Sequence, residues 1–188
     1  MRGMRALLPS LLLLLTLLMP ACSGLGGSRH SLPALMVKRL DWMDDVAEAK
    51  RAKGLPIADP KREAELLRSM MQRGDAAGLN DESVRLFFSG QMQAAKVRQE
   101  EWLRQHPTAT TTQAPDLAST IRPALDEIGT QMIEQLEEET RHRTPIEAAA
   151  LVTQAQNRLM KAGYSEDVVK PAVKGLKDAL DMYFASWP

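Results

Sequence analysis

A chain of 188 residues with 44% hydrophobic and only 4% aromatic residues, and 11 methionines, is long enough for one domain with a sizeable core. That composition favours helices packed with Leu, Met and Ala over a β-sandwich. Basic and acidic residues balance at 24 each, so net charge gives no reason for a nucleic-acid partner, and the single cysteine, Cys22, excludes an intramolecular disulfide.

Met1 to about Ser23 has the make-up of a secretory signal: basic Arg2 and Arg5, an apolar run from Leu11 to Leu18, and the small-residue exit Ala21-Cys22-Ser23. The run is short for a bilayer span. The chain is therefore expected in the periplasm or outside the cell. Cys22 fits either of two ends. It can be the lipidated residue of a lipoprotein, which would anchor the chain to a membrane, or a residue lost or left free by cleavage behind Ala21 or Ser23. Gly24 to Ser31 reads as a tether.

Leu32 to Lys53 is predicted as an amphipathic helix, because Leu32, Leu35, Met36, Leu40, Met43, Val46 and Ala47 recur at helical spacing. Arg39 and Lys50 lie eleven residues apart, which returns to within roughly 20° of the same direction, about 16 Å along the axis. Both therefore point from the apolar face. Inward cations are costly without an anion, and no carboxylate of this helix lies centrally on that face. The helix should stop at Gly54.

Asp59-Pro60 is a start signal, with Asp as N-cap and Pro in the first turn. The second helix, about 60–77, turns Leu66, Leu67, Met70 and Met71 inward, with Arg62 and Glu63 beside that stripe. Asn80 or Asp81 caps a third helix, about 82–106. Its inner face carries Val84, Phe87, Phe88, Met92, Ala95 and Trp102, and Gln91, Arg98 and Gln99 fall in the same sector. Residues 107–115 (PTATTTQAP) read as a linker loop. A fourth helix, capped by Ser119 or Thr120, carries Leu125, Ile128, Met132, Leu136 and Glu139 inside and Arg122 at its edge. Thr144-Pro145 opens a fifth helix, 146–161, and Ser165 caps a sixth, through about Ala185. The expected fold is all-α: one multi-helix domain of about six helices, with the helices of 116–188 packed on those of 24–106.

There is no P-loop, Gly-rich dinucleotide fingerprint, internal repeat or zinc spacing. His30, His106 and His142 stand in polar surroundings and read as surface residues. What remains is a set of cations and amides on inward faces. Guanidiniums pair bidentately with carboxylates, and with Lys50 and Gln99 as donors such a site could hold a flexible dianion and stabilise charge developing in a transition state. Each residue also has a structural reading. Arg39 can pair with an internal carboxylate, Lys50 can snorkel, Arg62 and Glu63 can form a solvated first turn, Gln99 can be a satisfied core amide, and Asp59 caps a helix in any case.

The ordered set Arg39-Leu40, Val46-Ala47, Lys50, Leu55-Pro56-Ile57, Asp59-Pro60-Lys61-Arg62-Glu63, Phe87-Phe88, Gln91-Met92 and Gln99 resembles the all-helical chorismate mutases. The motif region is about Leu32 to His106. With its signal segment and extra C-terminal helices, the chain resembles their secreted, periplasmic subclass, more loosely through Asp116-Leu117 and Ile121-Arg122-Pro123-Ala124-Leu125. The resemblance implies a Claisen rearrangement of chorismate to prephenate, with no cofactor, no metal and no covalent intermediate. It implies that Arg39 and Arg62 bind substrate carboxylates, that Lys50 and Gln99 hydrogen-bond the ether oxygen, that Glu63 accepts from the substrate hydroxyl and that Asp59 orders the turn around it. Arg122 would supply from the same chain the arginine that the simplest members take from a partner. Ala95 stands where the family often has a small polar residue. A homodimer is expected. An isochorismate–pyruvate lyase on the same fold, or a non-catalytic envelope or effector binding protein on the same scaffold, are the competing readings. Because Gln99 is neutral, activity should not require acid pH.

Overall fold

The computed structural model describes residues 31–108 and 115–186. The signal segment with Cys22, His30 in the tether, and residues 109–114 of the linker lie outside the described residues. Among those described there is no strand, and no helix is long and apolar enough to cross a membrane. The protein is all-α, as expected.

The predicted first helix is present as two consecutive segments, α1 (Leu32–Asp41) and α2 (Met43–Ala52), separated by one turn residue, Trp42. Trp42 keeps right-handed dihedrals (φ −74°, ψ −11°) and its carbonyl accepts from Val46 N at 3.0 Å, so Arg39 and Lys50 keep a common direction across the joint. At the far end Gly54 takes φ +62°. Gly54 N donates to Arg51 O at 3.0 Å and Leu55 N to Lys50 O at 2.8 Å, a left-handed cap that satisfies the last carbonyls.

Helix α3 (Pro60–Ala76) is capped by Asp59, whose Oδ1 accepts from Arg62 N at 3.1 Å. It is less buried than its periodicity suggests: only Met70 and Gly74 are fully inside, while Leu66, Leu67 and Met71 are half-covered. Helix α4 (Asp81–Gln105) is capped by Asn80, whose Oδ1 accepts from Glu82 N and Ser83 N at 2.8 and 3.2 Å. It is the central element, touching α2, α3 and, along much of its length, α7.

The start of the fourth helix departs from the reading at Ser119 or Thr120. The cap is Asp116, whose Oδ1 accepts from Ala118 N and Ser119 N at 2.9 and 2.8 Å. It opens a single π-helical turn, Leu117–Ile121, before α5 (Arg122–Arg141). The widened turn has a cause in Pro123, which offers no N–H and crowds the carbonyl four residues back. Lys53 Nζ, 2.8 Å from Asp116 Oδ2, clips this turn to the end of α2. Helices α6 (Pro145–Lys161) and α7 (Glu166–Ala185) follow, with a capping box at Thr144/Glu147, Gly163 at φ +90° and Ser165 as the cap of α7. All six predicted helices are thus present.

The core is one continuous cluster running from Leu32, Leu35 and Met36 of α1 through Phe87 and Phe88 of α4 to Val168, Leu176 and Leu180 of α7. Helix α7 lies against α4, and α6 against α1 and α7. The helices after Thr144 therefore wall the far side of α4 and leave its near side to α2, α3 and the π-turn.

Candidate active site

The eight residues singled out from the sequence, Arg39, Lys50, Asp59, Arg62, Glu63, Ala95, Gln99 and Arg122, line a single cavity between α1/α2, α3, α4 and the start of α5. Its empty space is about 800 Å³, counted with its mouth open to solvent. Met43, Val46, Leu66, Met92, Leu117 and Leu125 give it apolar walls. A few converging polar groups in an apolar cleft are the ordinary make-up of a small-molecule site.

Arg39 is the most unusual of them. Its residue is only 4% exposed, it makes no hydrogen bond or ion pair among the described residues, and its Nε is buried without a partner. Desolvation lowers its pKa from 12.5 to about 10. The structural reading, pairing with an internal carboxylate, is absent among the described residues.

Lys50 is half-buried, and its Nζ donates to Ile57 O of the connector at 2.5 Å. Burial pushes its pKa down, Asp59 and Glu63 pull it back up, and Arg122 and Lys96 push it down again. Arg122, the first residue of α5, is half-buried and pairs with no carboxylate among the described residues. The Asp116-capped turn sets its place, and Lys53 together with the turn's N–H groups holds the Asp116 carboxyl well below the usual range. Arg62 reaches only Glu65, one turn along, at 3.4 Å.

The carboxylates that line the cavity are already engaged. Asp126 accepts two bonds from Arg73 at 2.9–3.0 Å, Asp59 caps α3, and Glu63 pairs with Lys96 at 3.0 Å. The uncommitted charge in the cavity is therefore positive, which fits an anion with more than one acidic group.

Gln99 is buried, with Nε2 donating to Ala95 O at 3.0 Å and, weakly, to Met43 Sδ at 3.6 Å, while Oε1 has no partner. A thioether is a poor acceptor, so exchanging it for a ligand oxygen costs little. The other polar residues predicted on the inner sector of α4 face elsewhere. Gln91 Nε2 donates to Ala172 O of α7 at 3.1 Å, and Arg98 pairs with Asp44 at 2.6 Å under the Tyr164 ring.

Residues 30–100 match the family model for chorismate mutase type II. A secreted chorismate mutase of Yersinia pestis is 32% identical over 117 residues, covering 60% of this chain and 61% of the relative, so the match spans about three fifths of that protein. Crystal structures of chorismate mutases from Burkholderia thailandensis and Burkholderia phymatum superpose with TM-scores of 0.69 and 0.68, each at 27% identity. They cover 80% and 79% of this chain and 97% and 94% of theirs. The Yersinia pestis structure, at 23% identity and TM-score 0.64, covers 82% of this chain and 96% of its own and shares the fold.

Within the region that matches the family model, sequence reasoning missed Lys96. It belongs to the stripe Met92, Ala95, Lys96, Gln99, whose i, i+3, i+4, i+7 spacing already carried the signal. Asp126 and the wall residues Leu117 and Leu125 were harder to foresee, because they come from beyond the linker. The two described histidines stay outside the cavity: His106 stacks on Trp102 with ring centroids 4.6 Å apart, and His142 is exposed. No described group of His, Cys, Asp and Glu could hold a metal ion.

Proposed function

We propose that this protein is an exported chorismate mutase, converting chorismate to prephenate by preorganised charge and conformational restraint. The observation that carries the reading is Arg39: a buried guanidinium without a partner among the described residues, on the wall of a cavity that also carries Lys50 and Arg122, neither paired with a described carboxylate. A dicarboxylate ether meets that arrangement. Arg39, Arg62 and Arg122 take the two carboxylates and hold the side chain over the ring, which removes the entropy of finding the reactive conformer. As the C–O bond breaks, negative charge grows on the ether oxygen. Lys50 and Gln99 donate to it there, in a half-buried site where such bonds are strong. Glu63 accepts from the ring hydroxyl, and Asp59 fixes the turn that carries Glu63. Ala95 offers only its carbonyl, which orients Gln99. The protein itself donates no proton in this scheme and forms no covalent bond to substrate.

The test is direct. Wild-type mature protein consumes chorismate with formation of prephenate, and Arg39→Ala reduces kcat/KM by about 10²-fold or more. Pyruvate release from isochorismate by the wild type, with chorismate untouched, would favour the lyase. Export to the periplasm or beyond is supported by the signal-like Met1–Ser23 segment and by the secreted relative, and cell fractionation tests it. Labelling with a fatty-acid probe, compared between wild type and Cys22→Ser, tests the lipid anchor. Sedimentation of the mature protein tests the expected homodimer.

A further inference from the structure

Lys96 is the one cavity cation already held by a carboxylate of the same cavity. Its Nζ lies 3.0 Å from Glu63 Oε2, and the two side chains are 28% and 29% exposed. The other oxygen of Glu63, Oε1, accepts from Asp59 N at 3.3 Å. The carboxylate is thus held from both sides, by the N-terminus of its own helix α3 and by α4. Neither partner is exhausted. A carboxylate offers about four lone-pair directions and an ammonium three N–H groups, and the pair uses only some of them. Both residues line the cavity, so the free lone pairs and N–H groups lie beside the space a ligand would fill.

A side-by-side acceptor and donor is what an alcohol requires, since a hydroxyl donates one hydrogen bond and accepts others. We infer that Lys96 is a specificity-determining residue, which together with Glu63 forms a two-sided clamp on the ring hydroxyl of the substrate. The inference rests on the chorismate mutase reading and names a recognition element within it. Glu63 takes the hydroxyl proton's hydrogen bond, and Lys96 donates to the hydroxyl oxygen. Lys96 also keeps the Glu63 carboxylate turned toward the ring rather than toward Lys50. A substrate without a hydroxyl at that place leaves a charged pair unmatched, which is how a polar site rejects an analogue. The bland reading is a partly exposed ion pair joining α3 to α4, of the kind that contributes little. Such a pair would matter equally for every substrate.

Two substrates separate these readings: chorismate, and the analogue in which the ring hydroxyl is replaced by hydrogen. For Lys96→Ala, kcat/KM on chorismate falls about tenfold, mostly through KM, because the hydroxyl is held in both ground and transition states. On the deoxy analogue the same variant stays within about twofold of wild type, so the preference for the hydroxyl collapses. Lys96→Arg, which keeps a donor, retains most of the preference. Equal losses on the two substrates, or no loss on either, overturn the clamp. Should Lys96→Ala fail to fold by circular dichroism, Lys96→Met, which keeps the stem without a donor, carries the same comparison. A wild type inactive on chorismate overturns the mutase reading instead, and is seen before any variant is made.

Discussion

The two sides of α4 are built to opposite rules. Toward α7 the helix is packed until backbones touch: a Cβ added to Gly90 would lie 2.6 Å from Pro171 O and 2.7 Å from the Cα of Gly175. Gln91 there spends its amide on Ala172 O, and Phe87 and Ala94 are fully buried. Toward α2 and α3 the same helix leaves space, lines it with Met92, Ala95, Lys96 and Gln99, and faces an arginine that no described residue neutralises. The first side is complete without a ligand and the second is not. Stability and function are thus separated across one helix, and the C-terminal helices serve the first by closing the side that the cavity does not use.

Substitutions on the two sides should therefore fail differently. The largest effect is expected on the open side. Lys50→Ala removes the proposed donor to the breaking bond and should lower kcat by about 10²–10³-fold, with the melting temperature nearly unchanged. Steady-state kinetics beside a thermal melt tests this, and a variant that unfolds while its folded fraction keeps full activity contradicts it. On the packed side, Gly175→Val forces a branched side chain into the backbone of α4. It should cost about 1–3 kcal/mol, as overpacking does, while molecules still folded keep wild-type KM. Urea titration with KM measured below the transition reads both quantities. Unchanged stability there would mean that α4 and α7 are not in the contact described.

A smaller effect is expected from pH, and its sign follows from which form works. In the proposed mechanism Lys50 acts as an ammonium, and burial lowers its pKa from the ordinary 10.5. Arg39 follows at about 10. Activity should fall on the alkaline side, as pH rises through a value below that of a free lysine. Gln99 carries no proton to lose, so it adds no requirement for acid. A kcat/KM profile with activity only below about pH 5, or flat beyond the free-lysine value, contradicts this assignment.

Much of the open side was legible in the sequence because it breaks a pattern. Arg39, Lys50 and Gln99 interrupt apolar stripes at helical spacing, and Asp59-Pro60 marks where Arg62 and Glu63 enter. The packed side was not legible. Gly90 and Gly175 look like weak points in two helices, and only their meeting, 85 positions apart in the sequence, explains them. The π-turn was hidden for a related reason. Ser119 and Thr120 are good caps, but Asp116 has Lys53 from another helix to hold it and Pro123 downstream to widen the turn. Gln91 and Gln99 stand eight residues apart and looked alike, yet one meets α7 and the other the cavity. Periodicity reports that a side chain points inward, not which neighbour it meets there.

The central claim is that the anion for Arg39 is the substrate rather than part of the fold. Arg39→Met tests it most directly, because Met fills similar space without the charge. With no partner to strand among the described residues, removing a buried cation should leave the melting temperature of the ligand-free protein equal or higher, while chorismate turnover falls by about 10²-fold or more. A clear drop in melting temperature with turnover preserved would show that Arg39 holds the fold together, and would contradict the account.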